Sequence, residues 1–584
     1  MRMRLQLRRL AQLLAAMGAV VGAAILVVVV LALLEQASPH HSVAQARTRP
    51  ACADDDGDVD PGSYALPPTT AADEADATIC SIQPIRAIPP SYLGISTEYW
   101  TLPLWAPHAA QLDRVFSLLT VPGDGRFLLR IGGDSSQRTF WVKSTRGAPN
   151  WAYLLTPRWF AQTRQLVDRT GARVILDLNT ITGTVADAES LVRAAESRLP
   201  RGSIIGFEIG NESDLYLRDY WLDTIEHPWA DAAVAPAAIT AGDYARQFAA
   251  YGAEVRKAAP GVPLLGPTIG NSLYSEKWIR TLLADPHPGL GTVSGHWYPY
   301  SGCARPGRPS YPSIAKLMDG NVAANMARGM APVLRLVHRM GLKFRLTELN
   351  SVTCGGLRGV SNTFATALWT PDAMFRLLGA GVDGINIHVR EDAVNQAFAL
   401  RNFGLQAQPL LYGMLLFDRT LGPDAQLVRV HLDAHRVRHF DVYAVRVAHD
   451  VLHVLAIDKS GNAVRLDLVL PATGAATVQR LLAPSVSARY GFSLDGQWLG
   501  RDARWHGRAS AETIKPGEYG YQLTVPRYSA ALMTVQLTPS RNVIRPRAAL
   551  PFAVHADPGR RRGARARHRP GDRRRQRVGA AQAI

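Results

Sequence analysis

The sequence predicts a (β/α)₈ barrel followed by an antiparallel β-sandwich domain, and two patterns along the chain support this fold class. Between residues 85 and 423, short apolar segments typical of buried parallel strands alternate with helix-like segments. From residue 424 to 538, apolar segments instead follow one another between Gly, Pro and Asp turns. A chain of 584 residues also exceeds what one hydrophobic core usually serves, so two folded units are expected.

Eight strand-like segments form the first pattern. They are residues 92–96, 127–131, 173–178, 204–209, 263–266, 292–297, 344–348 and 384–388. Eight strands that are each followed by a helix are typical of a closed barrel, and a doubly wound open sheet is the alternative.

The helix-like segments carry start and stop signals. Residues 157–170 begin with proline and are followed by Gly171, which is the usual asymmetry of helix ends. Thr240, with Asp243 three residues later, is typical of a helix N-cap. Four apolar residues then recur at helical spacing on one face: Tyr244, Phe248, Tyr251 and Val255.

The segments after residue 424, such as VYAVRVAH and YSAALMTVQL, are predicted to be antiparallel strands. The chain is therefore expected to contain five parts. They are an N-terminal segment (1–36), a polar linker (37–84), the barrel (85–423), the β-sandwich (424–538) and a disordered Arg-rich tail (539–584).

The N-terminal segment has the features of a membrane anchor. Residues 13–34 contain no charged side chain, and four arginines precede them. This length can span a bilayer, and the arginines favour a cytoplasmic N-terminus. We therefore expect the folded part of the chain outside the cytoplasm, at the cell surface or in the periplasm, or secreted if the segment is cleaved.

The net charge of +17 lies mostly at the two ends of the chain. Residues 541–584 hold 13 Arg against two Asp, and residues 1–36 hold four Arg against one Glu. The rest of the chain is nearly balanced, so nothing in its overall charge favours binding to nucleic acid.

Four cysteines suit an exported protein, in which disulfides persist. We predict two disulfides, Cys52 with Cys80 and Cys303 with Cys354; buried free thiols are the alternative. No Cys or His cluster with metal-ligand spacing is present in the sequence. No metal and no cofactor are therefore expected.

Two glutamates occupy matching positions at the ends of predicted strands. In GFEIGNESDLY, Asn211 and Glu212 directly follow the fourth strand, and in KFRLTELNSV, Glu348 ends the seventh. Chemistry in a barrel of this kind takes place at the C-terminal ends of the strands. Paired carboxylates across the barrel mouth are what cleavage of a glycosidic bond requires. Either acid alone is as readily explained as a loop residue.

Other polar residues also lie near predicted strand ends and are candidates for binding a sugar. We expect Arg130 to favour the charge on Glu348, and Tyr298 to donate a hydrogen bond to the same carboxylate. The remaining candidates are Glu98, Asp134, Asn179, His296 and His388. A purely structural role is the alternative for His296.

The sequence resembles glycoside hydrolase family 79, the heparanase and β-glucuronidase family, over residues 85–538. The resemblance is carried by GFEIGNESDLY, SGHWYPY, LTELNS, LLRIGGDS and GINIH. It implies a retaining mechanism, with Glu212 as the acid/base and Glu348 as the nucleophile. The resemblance and the chemistry both assign Asn211 to the sugar 2-hydroxyl. The implied partner is an oligosaccharide, a polysaccharide or another glycoconjugate.

The sequence departs from that family where a glucuronide's carboxylate would bind. Gly355 and Gly356 can supply the expected backbone amides, but the expected tyrosines are missing: Thr353 follows the seventh strand, and HVREDAVNQAF follows the eighth. Arg390 is a possible replacement, because an arginine forms charge-assisted hydrogen bonds with a carboxylate. The alternatives are a related retaining enzyme, such as an arabinofuranosidase or xylosidase, or an inactive membrane-tethered glycan-binding protein.

Overall fold

The structure, a computed structural model, describes residues 73–537 except 124, 143–147, 149–150, 216–238, 273–275, 435–436, 471, 473 and 518–519. The predicted anchor, Cys52 and the predicted tail therefore lie outside the described residues. Among the residues described, no helix is both long and apolar enough to cross a membrane.

Eight parallel strands form a closed barrel, as predicted. They are β1 (Leu93–Glu98), β2 (Leu128–Gly132), β3 (Arg173–Leu178), β4 (Ile204–Ile209), β5 (Leu264–Ile269), β6 (Leu290–Trp297), β7 (Lys343–Leu349) and β8 (Gly384–His388). Each strand pairs with its neighbour, and β8 pairs with β1 to complete the ring. The alternative of an open sheet is therefore wrong.

A helix follows each barrel strand on the outside. They are α1 (Ala109–Leu118), α2 (Pro157–Thr170), α3 (Val185–Arg198), α4 (Ala241–Ala258), α5 (Glu276–Ala284), α6 (Asn321–Arg339), α7 (Phe364–Ala380) and α8 (Pro409–Thr420). The loops also contain short elements: helical turns at Thr101–Trp105, Ala106–His108, Gly133–Arg138, Ser213–Leu215 and Ile314–Met318, and strands at Thr139–Trp141, Tyr153–Leu155, Tyr300–Ser301, Val352–Thr353, Phe398–Arg401 and Gly404–Ala407.

The helix ends predicted from the sequence lie where the structure has them. Helix α2 spans the predicted residues and is followed by Gly171, which adopts a left-handed conformation with φ of +63°. At the start of α4, Thr240 and Asp243 form a capping box, in which each side chain accepts the other's backbone N–H. The four apolar residues of the predicted face in α4 are buried.

A ten-stranded sheet forms the second part of the fold. Along the sheet the strands are Ser493–Leu494, Ala476–Leu482, Ser529–Gln536, Val451–Asp458, Phe440–Val447, Gln426–Asp433, Glu74–Ala87, Val464–Val469 and Tyr521–Val525, with Glu512–Ile514 beside Ala476–Leu482. The chain also forms a 3₁₀ turn at Ala448–Asp450 and a hairpin of Trp498–Leu499 with Trp505–His506. The sheet is antiparallel except for one parallel pair of strands, Glu74–Ala87 with Val464–Val469.

The assignment of residues 74–84 to the polar linker is wrong. Glu74–Ala87 is a strand of the second sheet and lies between Gln426–Asp433 and Val464–Val469. Its alternate residues Ala75, Ala77 and Ile79 are buried in the core of that sheet. This strand is difficult to predict from the sequence, because its polar residues alternate with small apolar ones and its pairing partners lie far along the chain.

Helices α7 and α8 pack against the second sheet. The strand Val451–Asp458 shows how one element serves both cores: Leu455 and Ile457 pack with the barrel, whereas Leu452 and Val454 pack inside the sheet domain. Successive side chains of a strand point to opposite faces, so one strand can contribute to two cores.

A buried ion cluster lies in the same contact between α7 and the sheet. Lys459 contacts Asp372 at 2.5 Å and Asp441 at 3.1 Å, and Arg376 pairs with both aspartates. Tyr443 also donates a hydrogen bond to Asp372. We call these five residues the interface cluster.

Candidate active site

Glu212 and Glu348 meet at the C-terminal end of the barrel. Glu348 is the penultimate residue of β7, and Glu212 lies three residues beyond the end of β4. One carboxylate oxygen of each glutamate and a ring nitrogen of His296 all lie within 4.8 Å of one another. The loop after β4 turns sharply there: Glu212 has φ of +46°, and its N–H donates to the Thr268 carbonyl at 2.7 Å. A left-handed conformation is uncommon for a glutamate and persists only where surrounding contacts hold it. The backbone of the loop therefore fixes the position of the Glu212 side chain.

Arg130, on β2, is fully buried and holds Glu348 and Asn211 in position. Its Nη1 donates to Oε2 of Glu348 at 2.9 Å, and its Nη2 donates to Oδ1 of Asn211 at 2.8 Å. The other N–H groups contact Ser96, Asp177 and Glu208. Arg130 therefore uses its whole guanidinium to orient its neighbours and has no donor left for a ligand.

Glu348 is held in its ionised form. Burial opposes ionisation, but His388, His296 and Arg130 outweigh it electrostatically and lower the pKa of Glu348 well below its usual value. Tyr298 adds the expected hydrogen bond to Oε1, and Nδ1 of His388 lies 3.4 Å from Oε2. A carboxylate in this form can act as a nucleophile.

Glu212 is held in its protonated form. Burial raises its pKa well above the usual value, and the charges of Glu348 and Asp214 raise it further. Nδ1 of His296 lies 2.9 Å from Oε1 of Glu212. The two glutamates thus have opposite pKa shifts, because basic groups surround Glu348 whereas the carboxylates of Glu348 and Asp214 lie near Glu212.

Burial lowers the pKa of both His296 and His388. Burial favours the uncharged form of each ring, the charge of Glu348 opposes this, and both rings lie beside the paired glutamates. Nε2 of His296 is buried, and no partner for it is found among the described residues. This atom is available to a ligand.

Asn211 presents a free donor to the site. Its Oδ1 accepts from Arg130, and its backbone carbonyl accepts from Gln137 at 2.8 Å. Its Nδ2 is buried and has no partner in the part of the chain that the structure describes. A buried amide without a partner is costly, so a ligand hydroxyl that accepts from Nδ2 would relieve that cost.

Glu98, Asp134 and Arg390 lie around the two glutamates. Oε2 of Glu98 accepts from the backbone N–H of Ser135 at 2.8 Å, and its Oε1 lies 3.8 Å from His388. Burial and the charge of Glu98 raise the pKa of Asp134 well above its usual value. Of the predicted sugar-binding residues, the structure therefore brings these three to the same end of the barrel as the paired glutamates.

The two glycines of the RIGG motif leave room for buried acids. A Cβ on Gly132 would lie 1.8 Å from Oδ2 of Asp177, and a Cβ on Gly133 would lie 2.5 Å from Oε1 of Glu98. No side chain fits at either position unless those carboxylates move. The motif therefore belongs to the site, although it supplies no reacting group.

Asn179 has a different role from the one predicted for it. Its Oδ1 accepts from the backbone N–H groups of Ile181, Thr182 and Gly183. Its Nδ2 donates to the Thr139 carbonyl and to the Thr182 hydroxyl. All its hydrogen-bonding groups are used within the protein, so Asn179 shapes the loop after β3.

The sequence analysis missed Asp177 and Glu208, which hold Arg130 from β3 and β4. These two residues are paired in register on neighbouring strands. Both are buried, with 1% and 0% of their surface exposed. A charged residue inside a strand otherwise made of apolar residues is the signal that marks them, because a buried charge requires a partner.

The disulfide between Cys303 and Cys354 is present, as predicted. It links the loops after β6 and β7 next to Gly355, whose carbonyl accepts from the backbone N–H groups of Val394 and Asn395. Cys80 is also disulfide-bonded, and its predicted partner Cys52 lies outside the described residues.

Glu212, His296 and Glu348 are also close enough together to hold a metal ion. Arg130 and Tyr298 already donate to Glu348, however, so a cation would compete with both of them. Paired carboxylates of this kind perform glycoside hydrolysis without a metal.

The fold is similar to that of glycoside hydrolases built on a (β/α)₈ barrel. No protein-family model matches the chain, so membership of family 79 stays a prediction. A β-glucuronidase from Aspergillus niger is 23% identical over 472 residues, a match that covers 70% of this chain and 83% of that protein. This similarity supports glycoside hydrolase activity.

Two solved structures have the same fold over about four-fifths of the chain. A 4-O-α-L-rhamnosyl-β-D-glucuronidase from Fusarium oxysporum superposes with a TM-score of 0.62 at 16% identity, covering 79% of this chain and 100% of its own. An α-L-arabinofuranosidase from Thermotoga maritima superposes with a TM-score of 0.59 at 15% identity, covering 80% and 100%.

Proposed function

We propose that the protein is a retaining glycoside hydrolase that cleaves a β-glycosidic bond. The observation that carries this proposal is the approach of Glu212 and Glu348 within 4.8 Å, together with their opposite pKa shifts. Retaining enzymes place their carboxyl groups about 5 Å apart, whereas inverting enzymes need about 6.5 to 9.5 Å to admit a water molecule. The short separation favours a covalent intermediate.

In the first step, the Glu348 carboxylate attacks the anomeric carbon while Glu212 gives its proton to the leaving oxygen. The new bond joins Glu348 to the sugar, and the glycosidic carbon–oxygen bond breaks. Because Glu348 has lost its negative charge in forming the ester, the pKa of Glu212 falls at this stage, and Glu212 stays ionised as the base for the second step.

In the second step, the Glu212 carboxylate removes a proton from water, and the water oxygen attacks the anomeric carbon. The ester bond to Glu348 breaks, which restores both glutamates to their starting states. The hydrogen bond between His296 and Glu212 keeps the Glu212 carboxyl in place through both proton transfers.

Asn211 has the role of binding the 2-hydroxyl of the sugar. Its buried Nδ2 lacks a partner among the residues described, and Arg130 fixes the orientation of its amide. A hydrogen bond at this position strengthens as positive charge develops on the sugar ring.

The substrate that we propose is a β-glucuronide or a related glycan that contains a uronic acid. The names of two relatives support this choice, the β-glucuronidase from Aspergillus niger and the rhamnosyl-glucuronidase from Fusarium oxysporum. An arabinofuranoside is the second candidate, because the fold is similar to that of the Thermotoga maritima arabinofuranosidase. A panel of nitrophenyl glycosides separates these candidates, because only the glycoside that carries the accepted sugar releases nitrophenol.

The same panel tests the hydrolase against a protein that only binds glycans. We expect the wild-type protein to hydrolyse one β-glycoside, and Glu348→Gln to bind that glycoside without hydrolysing it. If the wild type and the variant bound glycans equally and neither hydrolysed any, the proposed activity would be wrong.

A further inference from the structure

Arg390 is the second arginine near the paired glutamates, and it is placed differently from Arg130. It lies two residues beyond the end of β8, where His388 approaches Glu348. Its guanidinium packs beside Gly355: a Cβ on that glycine would lie 3.4 Å from Nη2. Burial opposes the charge of Arg390, but Glu98, Asp392, Asp134 and Tyr298 are near enough to outweigh it and raise its pKa. Arg390 therefore faces the residues that surround the sugar.

The guanidinium of Arg390 uses one of its three nitrogens in an ion pair. Its Nε pairs with Asp392 at 3.0 Å, from the more exposed side of the loop. No hydrogen bond from Nη1 or Nη2 is found in the described part of the chain, and the side chain is only 24% exposed. Two parallel N–H groups in this arrangement match the two oxygens of a carboxylate.

The other groups of the site do not favour a negatively charged ligand. Arg130 has no free N–H group, burial favours the uncharged forms of His296 and His388, and Glu98 and Asp134 are acids. A neutral sugar would leave the Nη groups of Arg390 solvated or unused. A sugar carboxylate would pair with them directly.

The geometry points to Arg390 as the residue that makes the site specific for a sugar that carries a carboxylate, which its Nη1 and Nη2 bind as a fork. This inference rests on the proposed glycosidase function and assigns its substrate class to one side chain. Arg390 binds the substituent of the sugar and takes no part in bond cleavage. Its removal should therefore affect the carboxylate-bearing substrate selectively.

The test compares two nitrophenyl glycosides that differ only at C6, a β-glucuronide with a carboxylate and a β-glucoside with a hydroxymethyl group. We expect the wild type to prefer the glucuronide. We expect Arg390→Ala to lower kcat/KM for the glucuronide about 100-fold, mainly through KM, and to change the glucoside rate less than about 3-fold. Arg390→Lys should recover only part of the loss, because an ammonium group lacks the fork.

Arg358→Ala is the matched control, because Arg358 is an exposed arginine of the loop after β7. Its loss removes the same charge from a neighbouring loop, and the preference for the glucuronide should stay unchanged. The inference is overturned if Arg390→Ala lowers both substrates equally, or if Arg358→Ala has the same effect as Arg390→Ala.

A binding measurement separates failure of this inference from failure of the proposed function. Calorimetry with glucuronate and with glucose, on the wild type and on Arg390→Ala, needs no turnover. We expect only the wild type to prefer glucuronate. Equal binding of both sugars by the wild type would overturn the role of Arg390 even if hydrolysis is observed. A preference that depends on Arg390, without hydrolysis of any glycoside, would instead reject the proposed enzyme activity.

Discussion

The interface cluster and the active site are both buried groups of charged residues, but they differ in balance. The interface cluster joins two cations, Lys459 and Arg376, to two aspartates. In the active site, Arg130 alone contacts three carboxylates, and Glu212, Glu98 and Asp134 lie close by. The interface cluster has equal numbers of acidic and basic side chains, whereas the active site has more acidic side chains than basic ones.

Within each group, burial and the nearest charges set the pKa of each carboxyl group. In the interface cluster, burial opposes ionisation of Asp372, but Lys459 and Arg376 outweigh it and lower its pKa. Burial and the charge of Asp372 raise the pKa of Asp441, the second aspartate of that cluster. In the active site, burial and neighbouring acids raise the pKa of Glu212 and Asp134. A balanced cluster holds two parts of a fold together, and an excess of acid creates a general acid that is still protonated near neutral pH.

The largest expected effect follows from replacing the ionised acid. Glu348→Ala removes the nucleophile, so we expect kcat to fall on the order of 10⁴-fold or more. Added azide should restore part of the activity and give a glycosyl azide of inverted configuration, because the small anion fits where the carboxylate stood. Full activity of Glu348→Ala would show that another residue forms the intermediate.

Replacing the protonated acid should have a smaller effect that depends on the leaving group. For Glu212→Ala we expect a loss of about 10² to 10⁴-fold with poor leaving groups. A substrate with an acidic phenol as leaving group needs little proton donation, so its first step should be less impaired. A loss that is independent of the leaving group would contradict the role of Glu212 as the acid.

Breaking the balanced cluster should affect stability and leave the chemistry alone. Lys459→Met leaves Asp372 and Asp441 with less cationic compensation, so we expect the free energy of unfolding to fall by about 3 to 5 kcal/mol. Arg446→Met is the matched control, because Arg446 forms a more exposed ion pair with Asp450 and should cost at most about 1 kcal/mol. Denaturant unfolding measures both variants. Equal losses would mean that burial of Lys459 adds nothing.

The opposite pKa shifts predict the shape of the pH profile. Glu212 must be protonated, so activity is lost as the pH rises through its raised pKa. Glu348 must be ionised, so activity persists on the acid side until the pH falls to its lowered pKa. In Glu212→Gln the residual activity should no longer decline on the alkaline side. A decline that is unchanged in this variant would assign the alkaline side to another group.

Much of the barrel was predictable from the sequence because its signals are local. Each strand is a short apolar segment, and Gly171, Thr240 and Asp243 mark helix ends through contacts within a few residues. Strand Glu74–Ala87 was not predictable in this way, because its partners lie far along the chain, as in the pair Ala87 with Gln426, and its own pattern is mixed.

The paired glutamates were predictable from their places at strand ends, as were the contacts of Arg130 and Tyr298 with Glu348, whereas the residues that hold Arg130 were not. In the sequence, Arg130 is a single basic residue within an apolar strand. Only closure of the barrel brings Asp177, Glu208 and Glu348 around it. The sequence likewise gave no sign that Asn179 uses all its hydrogen bonds within its own loop. Side-chain partnerships between strands depend on register, which a strand's own residues do not encode.

The most direct test of the account is the configuration of the first product, observed by proton NMR while a β-glycoside is being hydrolysed. Glu212 and Glu348 lie too close together for a water molecule to attack from the far side, so two displacements should occur. With two displacements, the β-anomer of the free sugar should appear first and convert to the α-anomer only later. Initial release of the α-anomer would contradict this mechanism.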